Sequence, residues 1–287
     1  MLYKKKYCFI ILHYQTIEET EDCIASIKKL SAQEDIQIII IDNASSNKSG
    51  EILLNKYIND PSVDVILNGM NEGFSRANNK ACDYARENYN PDFYIVANND
   101  IEFEQTEFCE LIENEYQANK FGVLGPDIYN TRQNVHQSPL QNISFDINDI
   151  RKTIYLNKIM LQFYDILYPF FKCYINKVEN HVTNGKDFDK YQKNVCLMGA
   201  CMIFSADYVK EREKVFYPET FFYYEEALVA LWCRKNGKLM VYNPQITVKH
   251  KEGASTDSMS NIKEKYKFRI TNILNSSITY INELKKE

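Results

Sequence analysis

The sequence predicts an α/β fold built on a doubly wound, mostly parallel sheet. Short apolar runs recur at Tyr7–Leu12, Ile36–Ile41, Val63–Leu67 and Phe93–Ala97. Segments of helical period separate them, and polar turn residues follow each run. A nearly all-apolar, β-branched run such as Ile36–Ile41 suits a strand covered on both faces. Repeated β-α-β units wind into a parallel sheet.

The elements follow in order. After the first strand, Thr16 and Glu19 have capping-box spacing, with Glu18, Glu21 and Asp22 near the positive end of the helix. Cys23, Ile24, Ile27 and Leu30 give a helical face, and Lys28 and Lys29 are expected in its last turn. Leu53, Leu54, Tyr57 and Ile58 mark a second helix. Phe74, Ala77, Ala81 and Ala85 mark a third, before the Phe93–Ala97 strand. From about Tyr129 the organisation changes. Residues 130–150 are turn-rich, 153–176 are aromatic and amphipathic, and 179–194 form a polar loop. Pro169 is expected to kink or end the helix it interrupts. Regular structure resumes at Val195–Phe204, a helix over Glu225–Lys235 and a strand near Lys238–Tyr242. The expected divisions are 1–129, a β-α-β half; 130–194, a variable aromatic helical insertion; and 195–287, a C-terminal half.

Composition narrows the function. The 287 residues carry a net charge of −5, which argues against nucleic acid as partner, since phosphate neutralisation needs a basic surface. Hydrophobic residues make up 45% and charged residues 25%, as in a folded soluble chain. The cysteines form no C-x-x-C and several sit in apolar runs, which suits small buried thiols in a reducing cytoplasm. The Lys4–Lys6 run ahead of Tyr7–Tyr14 mimics a signal peptide. Gln15, Glu18 and Glu19 follow instead of a small-residue cleavage site, so the run reads as a buried strand. No stretch reaches the roughly 20 apolar residues of a membrane span.

In a doubly wound sheet, ligands bind outside the carboxyl ends of the strands. Here those ends carry His13-Tyr14, Asp42-Asn43-Ala44-Ser45, Asn68 with Asn71-Glu72-Gly73-Phe74, and Asn98-Asn99-Asp100. Each set alone reads as turn chemistry; together they mark one polar rim. No G-x-G-x-x-G follows the first strand and no G-x-x-x-x-G-K-[ST] occurs, which counts against a dinucleotide oxidoreductase and a P-loop enzyme. A nucleotide diphosphate here would need another charge partner. Asp100 with Mg²⁺ or Mn²⁺ is the natural one.

The segments Ile41–Ser45, Asn71–Asn79 and Val96–Asp100 resemble the family 2 glycosyltransferases of the GT-A fold, most closely the rhamnosyltransferase-like branch. Gly199–Phe204, Phe221–Glu226, Arg234–Gly237, Tyr242–Pro244 and His250 with Gly253 and Ser255 continue the similarity in family order. It covers roughly 7–129 and 195–272. It makes 1–129 the nucleotide-sugar-binding half and 195–287 the acceptor-binding and catalytic half. The resemblance implies transfer of a sugar, with inversion, from a nucleotide diphosphate sugar (dTDP-rhamnose-like or a UDP-sugar) to a hydroxyl of a cell-surface glycan precursor. It places Asp42 at the nucleobase or ribose, and His13, Tyr14, Asn43, Asn71, Gly73, Asn98 and Asn99 around the donor. Arg76 is either a phosphate partner or a solvated helix residue. Asp100 would be the metal ligand, Asn98 standing where the family's first metal-motif Asp is usual; His250 is either a further ligand or a packed side chain. Glu226 matches the base, with Glu225 beside it, although the family usually has Asp there. Leu228 and Trp232 also stand where Asp and Arg are frequent. Those departures motivate an alternative, a nucleotide-sugar-binding or assembly subunit without turnover. A nucleotidyltransferase shares the sheet type, but its Gly- and Lys-rich first loop is missing at 13–20. The aromatic stretch 153–176 reads as a helical lid or core element, or as a platform for a lipid-linked acceptor at the inner membrane face, with lysines meeting anionic headgroups.

Overall fold

The computed structural model describes residues 6–140, 143–166, 168–169, 185, 187–212, 214–251 and 262–286. The first four strands are β1 (Tyr7–His13), β2 (Ile36–Asp42), β3 (Val63–Leu67) and β4 (Phe93–Asn98). The helices between them are α1 (Ile17–Ile27), α2 (Ser49–Tyr57) and α3 (Gly73–Asn88). The chain continues through β5 (Ile101–Glu102), α4 (Phe108–Asn119), β6 (Val123–Asn130), β7 (Val135–His136), α5 (Ile147–Gln162) and β8 (Gln192–Lys193). Last come β9 (Cys201–Ser205), α6 (Ala206–Glu211), α7 (Glu225–Lys235), β10 (Met240–His250) and α8 (Ile262–Leu284).

These strands form one sheet in the order β3-β2-β1-β4-β9-β6-β10-β5, with β7 on β6 and β8 on β10. β3, β2, β1 and β4 are parallel. β9 runs antiparallel between β4 and β6, and β6 with β10 resumes the parallel direction. The result is an α/β fold with a mostly parallel sheet, as the sequence predicts. The two faces of each central strand bury against different layers. Phe9, Ile11, Ile38, Ile40, Ile95 and Ala97 pack with Cys23, Ile24 and Ile27 of α1 and with Phe108 and Ile112 of α4. Cys8, Ile10, Ile39, Ile41, Tyr94 and Val96 face Ala77, Ala81 and Ala85 of α3 and Val229 of α7. Strict alternation of two apolar sets explains why β2 is buried along its whole length. Each such Ile contributes about 1.5–3 kcal/mol of burial, an upper figure because the unfolded chain is itself partly collapsed.

Three local expectations change. Thr16 sits at the N-cap of α1 but makes no side-chain cap bond. The helix ends at Ile27, so Lys28 falls at its C-cap, where it pairs with Asp60. The last strand, expected near Lys238–Tyr242, runs to His250, because β6 offers a partner along its full length. The register slips between Asn243 and Thr247, at Pro244, which has no N–H for a ladder. α4, β6 and α8 were not anticipated as elements.

The segment 130–194 adds β7 and β8 to the sheet and α5 to a helical layer with α8. α5 ends at a turn on Phe163, ahead of Pro169. The rest of the aromatic stretch, 170–176, and Leu167 lie outside the described residues. Ile150, Leu228, Leu231, Tyr280, Ile281 and Leu284 form the core of the α5–α7–α8 layer. Leu228 is therefore a packing residue. Trp232 is another: its ring meets Tyr208 edge-on at 5.1 Å, and the Arg212 guanidinium lies 4.7 Å from its centre. Cys8, Cys23, Cys82, Cys109, Cys196, Cys201 and Cys233 are buried and form no disulfide among the described residues, and Cys173 lies outside the described residues. Among the described residues no helix is long and apolar enough to cross a membrane.

Candidate active site

β1 lies between β2 and β4, and their last residues share a register: His13 is level with Asp42, and Leu12 with Asn98. The parallel direction thus brings Asp42, His13 and Asn98–Asp100 to one rim. The turns there hold Gln15, Ala44 and Lys48 at positive φ, strained backbone of the kind found at functional sites.

Beneath the rim runs a buried hydrogen-bond network. His13 has no exposed surface. Its Nδ1 meets Thr20 Oγ1 at 2.7 Å and its Nε2 meets Ser49 Oγ at 2.7 Å. Burial pushes its pKa down to about 4, against the pull of Asp42. His13 is thus a neutral bolt between α1 and α2. Asn99 donates to Thr16 Oγ1 at 2.7 Å and Thr20 Oγ1 at 2.9 Å, which is why the Thr16 hydroxyl is not a cap. Asp42 is also buried. It accepts from Ser45 N–H and packs under Gly50, where a Cβ would fall 2.3 Å from its Cγ. Tyr14 is partly buried, and its carbonyl accepts from Thr16 N–H. Asn43 accepts from Glu72 N–H at 2.9 Å and donates to Asn71 Oδ1 at 3.0 Å, so it shapes the turn that enters α3. Gly73 has φ +74° and a Cβ there would lie 2.4 Å from Phe221 O; only glycine fits on both counts.

Asp100 and His250 meet at this rim. Their separation, Oδ1 to Nε2, is 3.1 Å, and both side chains are nearly inaccessible. His250 Nδ1 is 2.7 Å from Gln137 Oε1, an acceptor, so Nδ1 carries a proton and Nε2 is the nitrogen that faces the carboxylate. Asp100 Oδ1 has no hydrogen-bond donor among the described residues. A proton on Nε2 or a divalent cation between the two groups would satisfy the pair. The imidazole and carboxylate donor set suits Mn²⁺, and an amide oxygen on the far ring nitrogen is a usual partner of a metal-bound histidine. Among the described residues no third His, Cys, Asp or Glu completes the pair. Gln137 escapes the sequence reading because it lies in the turn-rich segment, 113 positions from His250. Gly253 and Ser255 lie outside the described residues.

Glu225 and Glu226 open α7 after two residues, Tyr223 and Tyr224, each at φ +70°. Glu225 is buried. Burial and the neighbouring Glu226 charge push its carboxyl well above the usual carboxylate range, against the pull of the nearby Tyr223 and Glu225 backbone and the Thr220 hydroxyl. Glu226 is half-buried and packs against Gly199, where a Cβ would lie 2.3 Å from its Oε1. Burial raises its pKa too, against the pull of its own backbone and that of Gly199. Gly199 precedes β9, which pairs with the end of β4, and Asn98 N–H donates to Ala200 O at 2.9 Å. That antiparallel pairing carries Gly199 and Ala200 to the end of β4, where Asn98 stands. Arg76 is largely exposed on α3, and its Nε donates to Glu219 at 3.0 Å. A cleft of about 460 Å³ beside this contact is lined by both signs of charge, among them Lys80, Asp83 and Lys214. It includes none of Asp42, Asn98, Asp100 or Glu226.

A mostly parallel sheet with β9 antiparallel inside it, ahead of a carboxylate-bearing helix, and a polar rim at the strand ends fit the GT-A fold. The chain belongs to glycosyl transferase family 2, whose family model matches residues 8–212, and it is a glycosyltransferase. Glu225, Glu226 and His250 lie beyond the matched region. Among solved structures, S. aureus TarS 1–349 is similar over 95% of this chain and 71% of that one, at 13% identity and a TM-score of 0.56. The same protein in complex with UDP-GlcNAc matches with a TM-score of 0.57, covering 95% of this chain and 66% of that one at 13% identity. A mannosyltransferase from Pyrobaculum calidifontis in complex with GDP-Man and Mn²⁺ matches at 9% identity and a TM-score of 0.55, covering 99% of this chain and 74% of that one. The chain spans 44% of a longer TarS structure. No curated protein sequence matches it.

Proposed function

We propose that this glycosyltransferase moves a sugar, with inversion, from a nucleotide diphosphate sugar to a hydroxyl of a glycan or lipid-linked glycan precursor. One observation supports the reading: the Glu226 carboxylate packs against Gly199, two residues ahead of the strand that pairs with the end of β4, which favours a base and a diphosphate site on one rim. The nucleotide lies between the Asp42–Ser45 turn and the Asn71–Gly73 turn, with Asp42 and Asn43 fixing those turns from beneath. Tyr14, Asn98 and Asn99 complete that rim, and Arg76 acts through Glu219. Asp100 and His250 would hold Mn²⁺ or Mg²⁺, which would supply positive charge to the departing diphosphate. Glu226 accepts the proton of the acceptor hydroxyl while that oxygen forms the new bond to the anomeric carbon. Its raised pKa brings the base toward neutral pH, where proton transfer is most effective. Leu228 and Trp232 face the core, so their departure from the family pattern does not disable the rim. That removes most of the motive for a binding subunit without turnover.

The finer reading is a dTDP-rhamnose-like or UDP-sugar donor, supported by the rhamnosyltransferase-like motifs and by the UDP-GlcNAc complex of the TarS neighbour. The place of action is the cytoplasm, with peripheral contact at the inner membrane face. Buried cysteines that form no disulfide among the described residues, and the exposed Tyr155, Leu156, Phe163 and Ile166 beside Lys152 and Lys158, support this. The test is a thermal-shift and nucleoside-diphosphate-release screen of dTDP-rhamnose, UDP-GlcNAc, UDP-glucose and GDP-mannose, with Mn²⁺ and with chelator. One donor is expected to raise the melting temperature by several degrees, more so with Mn²⁺. Failure of all four to bind or turn over would sink the reading.

A further inference from the structure

We propose that Phe221, Phe222 and Phe268 form a platform on which a sugar ring of the acceptor stacks, with Phe268 supplied by α8. The proposal rests on the glycosyltransfer reading and names the ligand chemistry of its acceptor side.

The three rings make one cluster at the surface. Phe221 and Phe222 meet edge-on, with ring centres 5.2 Å apart. Phe268 reaches across from α8, its ring centre 6.2 Å from that of Phe221 and 5.9 Å from that of Phe222. Phe221 and Phe268 are each 38% exposed, and Phe222 is partly buried. Among the described residues none of the three joins a buried hydrophobic core. Core packing therefore does not account for them. A single exposed aromatic needs no explanation, but three in contact make a patch of the kind that marks a binding surface.

Backbone contacts pin the cluster beside the donor turn. Phe74 N–H donates to Phe221 O at 2.7 Å. A Cβ on Gly73 would lie 2.4 Å from that oxygen and 2.7 Å from Phe221 Cδ2, so the ring rests directly on the glycine. Asn43, at the end of β2, reaches the same glycine, its Nδ2 donating to Gly73 O at 3.3 Å. From the other side, Ser276 Oγ donates to Phe222 O at 2.7 Å. Phe268 and Ser276 stand two helical turns apart on α8 and share the face turned to Phe222. The aromatic surface thus bridges α8 and the Asn71–Gly73 turn, and the chain leaves it through Tyr223 and Tyr224 into the glutamates of α7. That continuity with the donor turn selects the occupant. A pyranose offers a face of C–H bonds, which the negative face of an aromatic ring attracts, and a fringe of hydroxyls. Lys267 and Arg269, both exposed on either side of Phe268 in the chain, put charged donors at the border for those hydroxyls.

The experiment is a saturation-transfer NMR titration of the full chain with the methyl glycosides of rhamnose, glucose, galactose and N-acetylglucosamine at millimolar concentration. Donor binding is read in parallel by thermal shift with dTDP-rhamnose, UDP-GlcNAc, UDP-glucose and GDP-mannose. Wild type is expected to bind at least one glycoside, with saturation strongest at the ring C–H protons of one face. Phe268→Ala is expected to weaken that glycoside by roughly 2–10-fold, the range of one aromatic contact, and to keep the donor-induced shift. Phe268→Tyr, which keeps a ring, should bind as wild type does. Phe268→Leu, which keeps apolar bulk without a ring face, should behave as Phe268→Ala does. Unchanged glycoside binding in Phe268→Ala overturns the proposal. So does a Phe268→Leu variant equal to wild type, which marks an alkyl chain as the occupant, and so does a lost donor shift in Phe268→Ala, which assigns the rings to the donor. A wild type that binds a donor but none of the four glycosides overturns the proposal while the glycosyltransfer reading stands. A wild type that binds no donor removes both. Should Phe268→Ala fail to fold, Phe221→Leu takes a ring from the opposite edge of the platform. It is expected to weaken the same glycoside, and unchanged binding there also overturns the proposal.

Discussion

Gly199 stands directly under the Glu226 carboxylate: a Cβ at Gly199 would lie 2.3 Å from Oε1. The atom it would strike is the far end of a flexible side chain, so the fold can accommodate alanine by letting the carboxylate swing away. Gly199→Ala is therefore expected to keep the wild-type melting temperature within a degree or so. Its turnover should fall by roughly 10²-fold, as for a misplaced reacting group. Unfolding curves and nucleoside-diphosphate release on the same preparations check this, and wild-type turnover would show that the Glu226 position does not matter.

The two adjacent glutamates are expected to separate by phenotype. Glu226→Gln keeps size but cannot take a proton at neutral pH, so donor affinity should hold while turnover falls by about 10²–10⁴-fold. Glu225 is buried at the start of α7, just past the Tyr223–Tyr224 corner. Glu225→Ala leaves a cavity there and is expected to cost about 1–3 kcal/mol of stability. Denaturant titration and kinetics on both variants decide the matter. A stability loss in Glu226→Gln with normal turnover would reverse the assignment of the base.

Metal dependence should trace to the facing pair, Asp100 and His250. Donor-induced stabilisation is expected to be larger with Mn²⁺ than with chelator, and Asp100→Ala should erase the difference. Gln137→Leu removes the acceptor that fixes the His250 ring. It should weaken Mn²⁺ binding by about 10–100-fold, the usual cost of losing such a partner. Calorimetry with Mn²⁺ and donor reads both, and equal donor affinity with and without chelator in wild type counts against the site.

His13 predicts a pH dependence of stability. Its folded pKa lies at about 4, below the ordinary value of 6.5. As pH falls below 6.5 the unfolded chain takes up a proton that the folded chain refuses, down to about pH 4. Stability from this residue is thus fully present above about pH 6.5 and is lost toward pH 4, a change on the order of 3 kcal/mol. His13→Gln should be less stable at pH 7.5 but less sensitive to acid. Denaturant unfolding of both proteins at pH 7.5, 6 and 5 measures it. A wild-type-minus-variant difference that does not shrink toward pH 5 refutes the buried neutral histidine.

The sequence by itself determined the repeating β-α-β frame and the rim. β1 to β4 and α1 to α3 follow from apolar runs and helical period, and α7 was readable to the residue over Glu225–Lys235. Because parallel strands end together, Asp42, Asn98 and Asp100 could be assigned to one edge before any contact was known. Those signals are local, carried within a dozen residues, so one sequence holds them. What the tertiary structure decided are pairings between distant positions. The Thr16 hydroxyl goes to Asn99 instead of capping its own helix, because a buried amide outcompetes a partner that water can replace. Arg76 finds Glu219, His250 finds Gln137, Thr220 finds Ser75, and Glu226 lands on Gly199. β10 extends to His250 because β6 stands ready beside it. None of these choices has a period or a spacing along the chain. Each is settled by which polar groups the packed sheet and helices strand out of water, and by which partner lies within hydrogen-bond reach when they do.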